Sequence, residues 1–218
     1  MLAEESKQGV DRIVLTPHFN PKNESAERFL RRRDSAVEFL RTVYDPASHP
    51  TVHVGTELVY SGPVTSASML DDLCIVGTNV LLLEMPYRIW RESVIEDLTY
   101  MVSLGIVPVI AHYDRYVQDR EVFEYLLGEG VVFQFGAAHF SSGLFKNRKA
   151  LRSVRSGEAG VLGSGCCNMT NRPPDMAGAI ELIRNRLGQE ALYELEDRAD
   201  RLLHGAFMLT PAPTGDIR

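Results

Sequence analysis

Four side chains that can bind a divalent metal each follow a short apolar run of the sequence. They are His18, Glu57, Glu84 and His112. The runs before them have the length and composition of buried strands, and a carboxylate just past a buried strand needs a cationic partner. Two carboxylates with two imidazoles form an oxygen and nitrogen ligand set that suits a divalent metal. The four residues therefore predict a metal site, provided that their strands end at one edge of a sheet.

Each of these residues also has a purely structural interpretation. A histidine such as His18 often serves only as a hydrogen-bonding residue, and Glu57 or Glu84 could each form an ion pair with an arginine. The placement of all four at successive strand ends favours the metal site. His53 lies in the middle of a predicted strand, and we expect it to have a structural role.

The elements that must position these residues repeat one pattern, in which a helix is followed by a glycine and a short apolar run. In the clearest example, apolar residues recur on one face of a helix over 92–104, Gly105 ends it, and 106–111 follows as a strand. Pro108 weakens that strand prediction because proline cannot donate to a ladder. The predicted strands are 12–16, 51–56, 79–84, 106–111, 131–135 and 159–164. The predicted helices are 25–43, 92–104, 122–127, 144–155 and two between 174 and 204, separated near Gly188.

Regular alternation of strands and helices predicts an α/β fold with a parallel sheet and helices outside it. No linker rich in glycine, proline or serine divides the chain, so we expect one domain over residues 1–218. Functional groups in such folds gather at the carboxyl ends of the strands, where the four candidate ligands fall.

Composition excludes several classes of partner. The 218 residues include 23 basic and 29 acidic side chains, a net charge of −6 that argues against a nucleic-acid-binding protein. The apolar runs are only as long as strands, whereas a membrane span needs about 20 apolar residues, and the N-terminus lacks the apolar segment of a signal peptide. Three cysteines without a CxxC spacing argue for a reducing, cytoplasmic compartment.

A cysteine nucleophile is disfavoured. Arg172 follows Cys167 by five residues, a spacing that resembles the phosphate loop of thiol-type tyrosine phosphatases. The residues between them include no glycine that would let the backbone wrap a phosphate, and Pro173 and Pro174 come next.

Five short motifs occur in a fixed order along the chain. They are Thr16-Pro17-His18, Gly55-Thr56-Glu57-Leu58, Leu82-Leu83-Glu84-Met85-Pro86, Ile110-Ala111-His112-Tyr113-Asp114-Arg115 and Asn168-Met169-Thr170-Asn171-Arg172-Pro173-Pro174. Together they resemble the bacterial PHP-type (polymerase and histidinol phosphatase) protein-tyrosine phosphatases of capsule and exopolysaccharide loci, over essentially the whole chain. The resemblance implies a distorted (β/α)7 barrel that here lacks its first strand, in agreement with six predicted strands. It also implies hydrolysis of phosphotyrosine on the tyrosine kinase that controls polysaccharide export, by a cluster of divalent metals, usually manganese.

The sequence departs from this family in two places. Members begin with a strand that carries Asp-x-His-x-His, and no such motif is found here. Members also carry Ser-Asp-x-His where this chain has Ser164-Gly165-Cys166-Cys167. We therefore expect the chain to hold fewer metal ions than an intact member.

The resemblance also assigns roles to individual residues. It implies one complete ligand set of Glu57, Glu84 and His112 and places His18 in another, where the Cys167 thiolate would be a substitute ligand that suits zinc better than manganese. It implies that Arg115 and Arg172 orient the phosphate, which guanidinium groups can bind bidentately. Without the family, each arginine could equally form a surface ion pair.

Three functions stay open at this point. The first is a metal-dependent protein-tyrosine phosphatase, and the second is a catalytically impaired relative that binds phosphotyrosine tails or another protein. The third is a metal- or phosphate-binding structural protein. A barrel without its first strand would also expose an unpaired edge at 12–16, which predicts pairing with another chain and a homo-oligomer.

Overall fold

The computed structural model describes residues 1–62, 67–140 and 144–211 of the chain. Its strands are β1 (Arg12–Leu15), β2 (His18–Phe19), β3 (Thr51–Val54), β4 (Glu57–Val59), β5 (Val80–Glu84), β6 (Val107–Ile110), β7 (Val132–Gly136) and β8 (Val161–Gly163). Its α-helices are α1 (Leu2–Lys7), α2 (Ala26–Arg41), α3 (Ala67–Leu73), α4 (Glu92–Ser103), α5 (Arg120–Gly128), α6 (Leu144–Arg155), α7 (Ala177–Leu187) and α8 (Gln189–Leu202). None of the described helices is both long and apolar enough to cross a membrane.

Six parallel strands in sequence order confirm the predicted α/β fold. The first predicted strand is interrupted at Thr16-Pro17 and forms β1 and β2, and the second is interrupted at Gly55-Thr56 and forms β3 and β4. β1 pairs with β3, and the remaining strands form one sheet in the order β2-β4-β5-β6-β7-β8. The two sheets together curl around a shared space, because residues of β1 and of β8 line the same cavity of about 690 Å³.

In the part of the chain that the structure describes, β1 and β8 each have one edge without a paired strand. Among the described residues, β1 pairs only with β3 and β8 pairs only with β7. The unpaired edge expected at 12–16 is therefore present.

Alternation along the strands separates two layers of apolar side chains. Leu81 and Leu83 of β5 belong to the main core, which also contains buried residues of the helices such as Leu98. Val80 and Leu82, the alternate residues of β5, belong to a smaller cluster and line the central cavity. This period of two is the pattern of a barrel strand with one face inside and one face under the helices.

Pro108 lies within β6 despite its missing N–H group. The N–H of Val107 donates to the carbonyl oxygen of Asn79 on the β5 side, at 2.8 Å. The nitrogen of the next residue therefore faces β7, where the ladder begins only at Val109 and Val132. The proline removes no ladder hydrogen bond at this position, so the strand forms.

The predicted glycine stops are also present. Gly105 has φ +82°, and the N–H of Ile106 reaches back to the carbonyl oxygen of Met101 at 3.1 Å, which closes α4 in a Schellman-type turn. Gly188, with φ +93°, separates α7 from α8 where the break was expected. Helix α3, which lies between β4 and β5, was not predicted.

Candidate metal centre

The candidate ligands lie on or just after adjacent strands, at the same end of those strands. His18 is the first residue of β2 and stands in register with Glu57, the first residue of β4. Glu84 is the last residue of β5, which pairs with β4. His112 follows the end of β6 by two residues. The interruptions at Thr16-Pro17 and Gly55-Thr56 start new short strands just where the first two ligands are needed.

The side chains of these residues converge. His18 Nε2 lies 3.6 Å from Glu57 Oε1 and 3.7 Å from Glu84 Oε2. One ligand atom from each of these three residues lies within 4.8 Å of the others. His112 approaches the same oxygen, with Nε2 at 3.4 Å from Glu57 Oε1. Glu57 Oε1 is thus close to two imidazoles, and His18 is close to both carboxylates.

The Glu57 carboxylate is the most informative group of the centre. Glu57 is 5% exposed, and its Oε1 atom is buried without a hydrogen-bond partner among the described residues. Burial raises the pKa of Glu57, but the imidazoles of His112 and His18 and the guanidinium of Arg115 lower it, and the resulting pKa lies below its ordinary value. A buried carboxylate oxygen that meets imidazole nitrogens only at 3.4 and 3.6 Å is incompletely neutralised, and a divalent cation would stabilise it. The four residues therefore fit a divalent metal ion.

His112 is held in an unusual backbone conformation. Its φ of 52° and ψ of 40° lie in the left-handed region. Within the part of the chain that the structure describes, His112 is the only residue other than glycine with a positive φ. A side chain in this region costs roughly 1–2 kcal/mol. The conformation is supported by the side chain of Gln134, which accepts the His112 N–H at 3.4 Å, and by the Arg115 N–H, which donates to the His112 carbonyl oxygen at 2.9 Å. The turn presents the imidazole to Glu57.

Two arginines lie near the candidate ligands, Arg115 close to Glu57 and Arg172 close to the position of His112. Arg115 is exposed but near enough to Glu57 to lower its pKa. Arg172 Nη2 and His112 Cε1 each lie 3.5 Å from where a Cβ on Gly165 would be. Neither guanidinium makes an ion pair or hydrogen bond with the rest of the described chain, so both can bind an anion brought to the centre.

The cysteine segment does not join the centre. Cys167 is exposed, its Sγ lies 3.9 Å from the carbonyl oxygen of Gly165, and the three-ligand group does not include it. The Asn168 side chain accepts the backbone N–H groups of Thr170, Asn171 and Arg172. These N–H groups are therefore not available to cradle a phosphate around a thiol, which agrees with the exclusion of a cysteine nucleophile.

Sequence reasoning missed a buried acid that lines the same cavity as His18, Glu57 and His112. Glu5 of α1 is 3% exposed, and its Oε1 lies 3.2 Å from Cys166 Sγ. Burial raises the pKa of the Cys166 thiol, and the Glu5 carboxylate raises it further. A glutamate on a six-residue helix carries no sequence signal that distinguishes it from a solvated one, and 161 residues separate it from its partner.

The geometry defines a class of protein, namely an α/β protein with a curled parallel sheet and a cluster of carboxylates and imidazoles that could hold a metal ion at its carboxyl edge. The family model described as "Capsular polysaccharide synthesis, CpsB/CapC" matches residues 1–203. The chain belongs to this family, and the resemblance based on the five motifs is confirmed.

Individual relatives agree with this membership. The tyrosine-protein phosphatase CpsB of Streptococcus pneumoniae is 27% identical over 215 residues, which cover 89% of this chain and 84% of the relative. CpsB of Streptococcus agalactiae serotype V is 24% identical over 207 residues, with the same coverage.

A solved structure shares the fold. It is described as "Crystal structures of YwqE from Bacillus subtilis and CpsB from Streptococcus pneumoniae, unique metal-dependent tyrosine phosphatases". The TM-score is 0.74 at 22% sequence identity, and the match covers 98% of this chain and 90% of the other. The expected PHP-type fold is therefore confirmed.

Proposed function

We propose that this chain is a metal-dependent protein-tyrosine phosphatase that acts in capsular or exopolysaccharide synthesis. The observation that carries the proposal is the buried Oε1 atom of Glu57, which has the imidazole nitrogens of His112 and His18 at 3.4 and 3.6 Å and the Glu84 carboxylate close by. The names of the relatives support it, since the streptococcal proteins are called tyrosine-protein phosphatases.

Glu57, Glu84, His18 and His112 would hold the metal. A bound divalent ion supplies a water of lowered pKa and neutralises charge on phosphate oxygens. Carboxylate and imidazole ligands suit manganese, which we propose as the metal. Because Gly165 and Cys167 stand where family members carry the aspartate and the histidine of Ser-Asp-x-His, we propose fewer ions than in an intact member, with Cys167 at most a weak substitute ligand.

The residues of the chain divide the remaining work between binding and orientation. Arg115 and Arg172 would bind two oxygens of the phosphate monoester, since a guanidinium presents donors in the geometry that phosphate requires. Glu57 stays ionised because its pKa lies below the ordinary value. The left-handed turn at His112 fixes that imidazole in place before any ligand arrives.

The proposed partner is a bacterial tyrosine kinase that carries phosphotyrosine, in the cytoplasm. The net charge of −6 argues against nucleic acid as an additional partner. We also propose a homo-oligomer, since the edge of β1 is unpaired among the described residues and a free edge favours pairing. A catalytically impaired relative that only binds phosphotyrosine tails is not favoured, because the relatives are named as phosphatases.

A test of the proposal combines metal analysis with an activity assay. The purified chain, stripped with EDTA and reloaded with manganese, should retain manganese after desalting and hydrolyse p-nitrophenyl phosphate and a phosphotyrosyl peptide only when loaded. We expect Glu84→Gln to lower turnover by more than about 100-fold, since loss of even an outer-sphere partner of a metal costs about 10–100-fold. The control is Glu96→Gln, at an exposed acid of α4.

Two results would contradict the proposal. One is a chain that binds no metal and hydrolyses neither substrate. The other is turnover that persists in EDTA and survives the Glu84→Gln change.

A further inference from the structure

Three large apolar side chains beside the metal centre are exposed to solvent. They are Tyr87, Ile89 and Val117, which are 65%, 66% and 82% exposed. The first two follow β5 and its terminal Glu84, and the third lies five residues after His112. Single exposed apolar residues are ordinary on a protein surface, whereas a cluster of them often marks a surface that binds a ligand or another protein.

The two loops that carry these residues are joined by one side chain. The Oε1 atom of Gln118 accepts the N–H of Trp90 at 3.0 Å, and its Nε2 atom donates to the carbonyl oxygen of Arg88 at 3.1 Å. The Trp90 indole N–H also donates to the carbonyl oxygen of Pro86, at 3.1 Å. The exposed surface is therefore preformed, and a partner would pay little conformational entropy to order it.

A buried tyrosine connects this surface to the metal centre. The ring of Tyr116, which is 6% exposed, lies with its centroid 5.5 Å from that of Tyr87 and 5.6 Å from that of Trp90. Its hydroxyl oxygen accepts the N–H of Met85, the residue after Glu84, at 3.0 Å. A ligand whose phosphate reaches the centre would extend directly over this surface.

The two loops are rich in arginine, although the chain as a whole is acidic. Segments 86–91 and 115–119 contain Arg88, Arg91 and Arg115 but only one acid, Asp119, while the whole chain has a net charge of −6. All three arginines are exposed, and none makes a side-chain hydrogen bond or ion pair with any other described residue. Unpaired arginines next to exposed apolar groups fit an anionic polypeptide with some apolar or aromatic character.

We propose that Tyr87, Arg88, Ile89, Arg91 and Val117 form a rim that binds the polypeptide flanking the phosphotyrosine, with preference for acidic flanking residues. The proposal rests on the proposed phosphatase function and deepens it, because it makes the chain selective for phosphotyrosyl peptides over small aryl phosphates. Gln118 acts as a positioning residue, since it holds both loops and touches no reacting group.

The first experiment removes the apolar part of the rim. In the Ile89→Ser/Val117→Ser double variant, we expect kcat/KM for an acidic phosphotyrosyl peptide to fall about tenfold through KM, with p-nitrophenyl phosphate turnover within about twofold of wild type. Phe39→Ser is the matched control, because Phe39 is 73% exposed on α2, outside the two loops. Equal loss on both substrates, or no loss on either, would overturn the rim.

The second experiment tests the charge preference. Wild type should process an acidic-flanked peptide about fivefold better than a neutral-flanked one, and Arg88→Gln/Arg91→Gln should abolish that difference, as expected for exposed charge contacts. The difference should also shrink as ionic strength rises. A preference that persists in the arginine variant would contradict the assignment of these two side chains.

Direct binding separates failure of the rim from failure of the phosphatase function. Fluorescence anisotropy of a labelled acidic phosphotyrosyl peptide in EDTA measures the rim without turnover, and we expect about tenfold weaker binding by the double serine variant. Unchanged peptide affinity in that variant would overturn the rim whether or not wild type hydrolyses p-nitrophenyl phosphate. If the double variant instead changes the sedimentation of the free protein, the surface is an interface between copies of the chain and the peptide assignment is wrong.

Discussion

Two buried histidines, His53 of β3 and His112 after β6, differ in the partner that each one meets. His53 of β3 is 3% exposed, and its Nδ1–H donates to the carbonyl oxygen of Phe207 at 3.0 Å. His112 is 7% exposed, and its Nε2 lies 3.4 Å from the carboxylate of Glu57. One imidazole therefore faces a neutral backbone group, and the other faces an ionised side chain.

The difference shows that two histidines of similar burial can have different roles, because their partners differ. Burial lowers the pKa of His53, the Phe207 carbonyl raises it, Arg12 lowers it, and the result lies below the ordinary value. His53 thus stays neutral and fastens the chain after α8 to β3. His112 shares a buried carboxylate with His18, in an arrangement that a cation would stabilise.

The largest expected effect concerns metal binding. We expect His112→Gln to weaken manganese binding and phosphatase turnover by more than about 100-fold, since even outer-sphere partners of a metal are worth about 10–100-fold. His53→Gln should change either quantity by less than about threefold, because its side chain contacts the carboxyl-terminal segment instead. Isothermal titration with manganese and an aryl phosphate assay measure both. Comparable losses in the two variants would break the distinction between these histidines.

A smaller effect is expected on stability in EDTA. Because His112 has φ +52°, we expect His112→Gly to be more stable than His112→Ala by about 1 kcal/mol, the cost of a Cβ in the left-handed region. At His53, in the middle of β3, the order should reverse, with glycine about 0.5–1 kcal/mol less stable than alanine. Urea unfolding of the four variants gives both differences. The same order at both positions would mean that the backbone at His112 is not strained.

The smallest effect is a pH dependence that belongs to His53. Its folded pKa lies below the unfolded value of 6.5, so the unfolded chain binds more protons as the pH falls below that value. The contribution to stability is therefore complete above pH 6.5 and is lost as the pH falls toward the folded pKa. Unfolding in EDTA between pH 7.5 and 5 should show a shallower loss of stability for His53→Gln than for wild type. An identical slope in both proteins would show that His53 does not titrate on unfolding.

The order of strands and helices could be predicted from the sequence because it depends on local patterns. Apolar runs of strand length follow glycines that stop helices, and the structure has strands at all six of those positions, with the first two each divided into two short strands. Helix α3 was not predicted, since a stretch of seven residues gives little periodicity. The doubt about Pro108 could not be resolved locally, because it depends on which neighbouring strand the nitrogen faces.

The kind of ligand available at the centre was determined by the sequence alone, because the types of the residues and their positions after apolar runs can be read from it directly. Which groups meet was decided only by the tertiary structure. His18 joins Glu57 and Glu84 because two strands restart in register, and His112 reaches Glu57 through a left-handed turn. Glu5 meets Cys166 across 161 residues. Side-chain direction depends on backbone angles and on distant packing, and neither is written in the local order of residues.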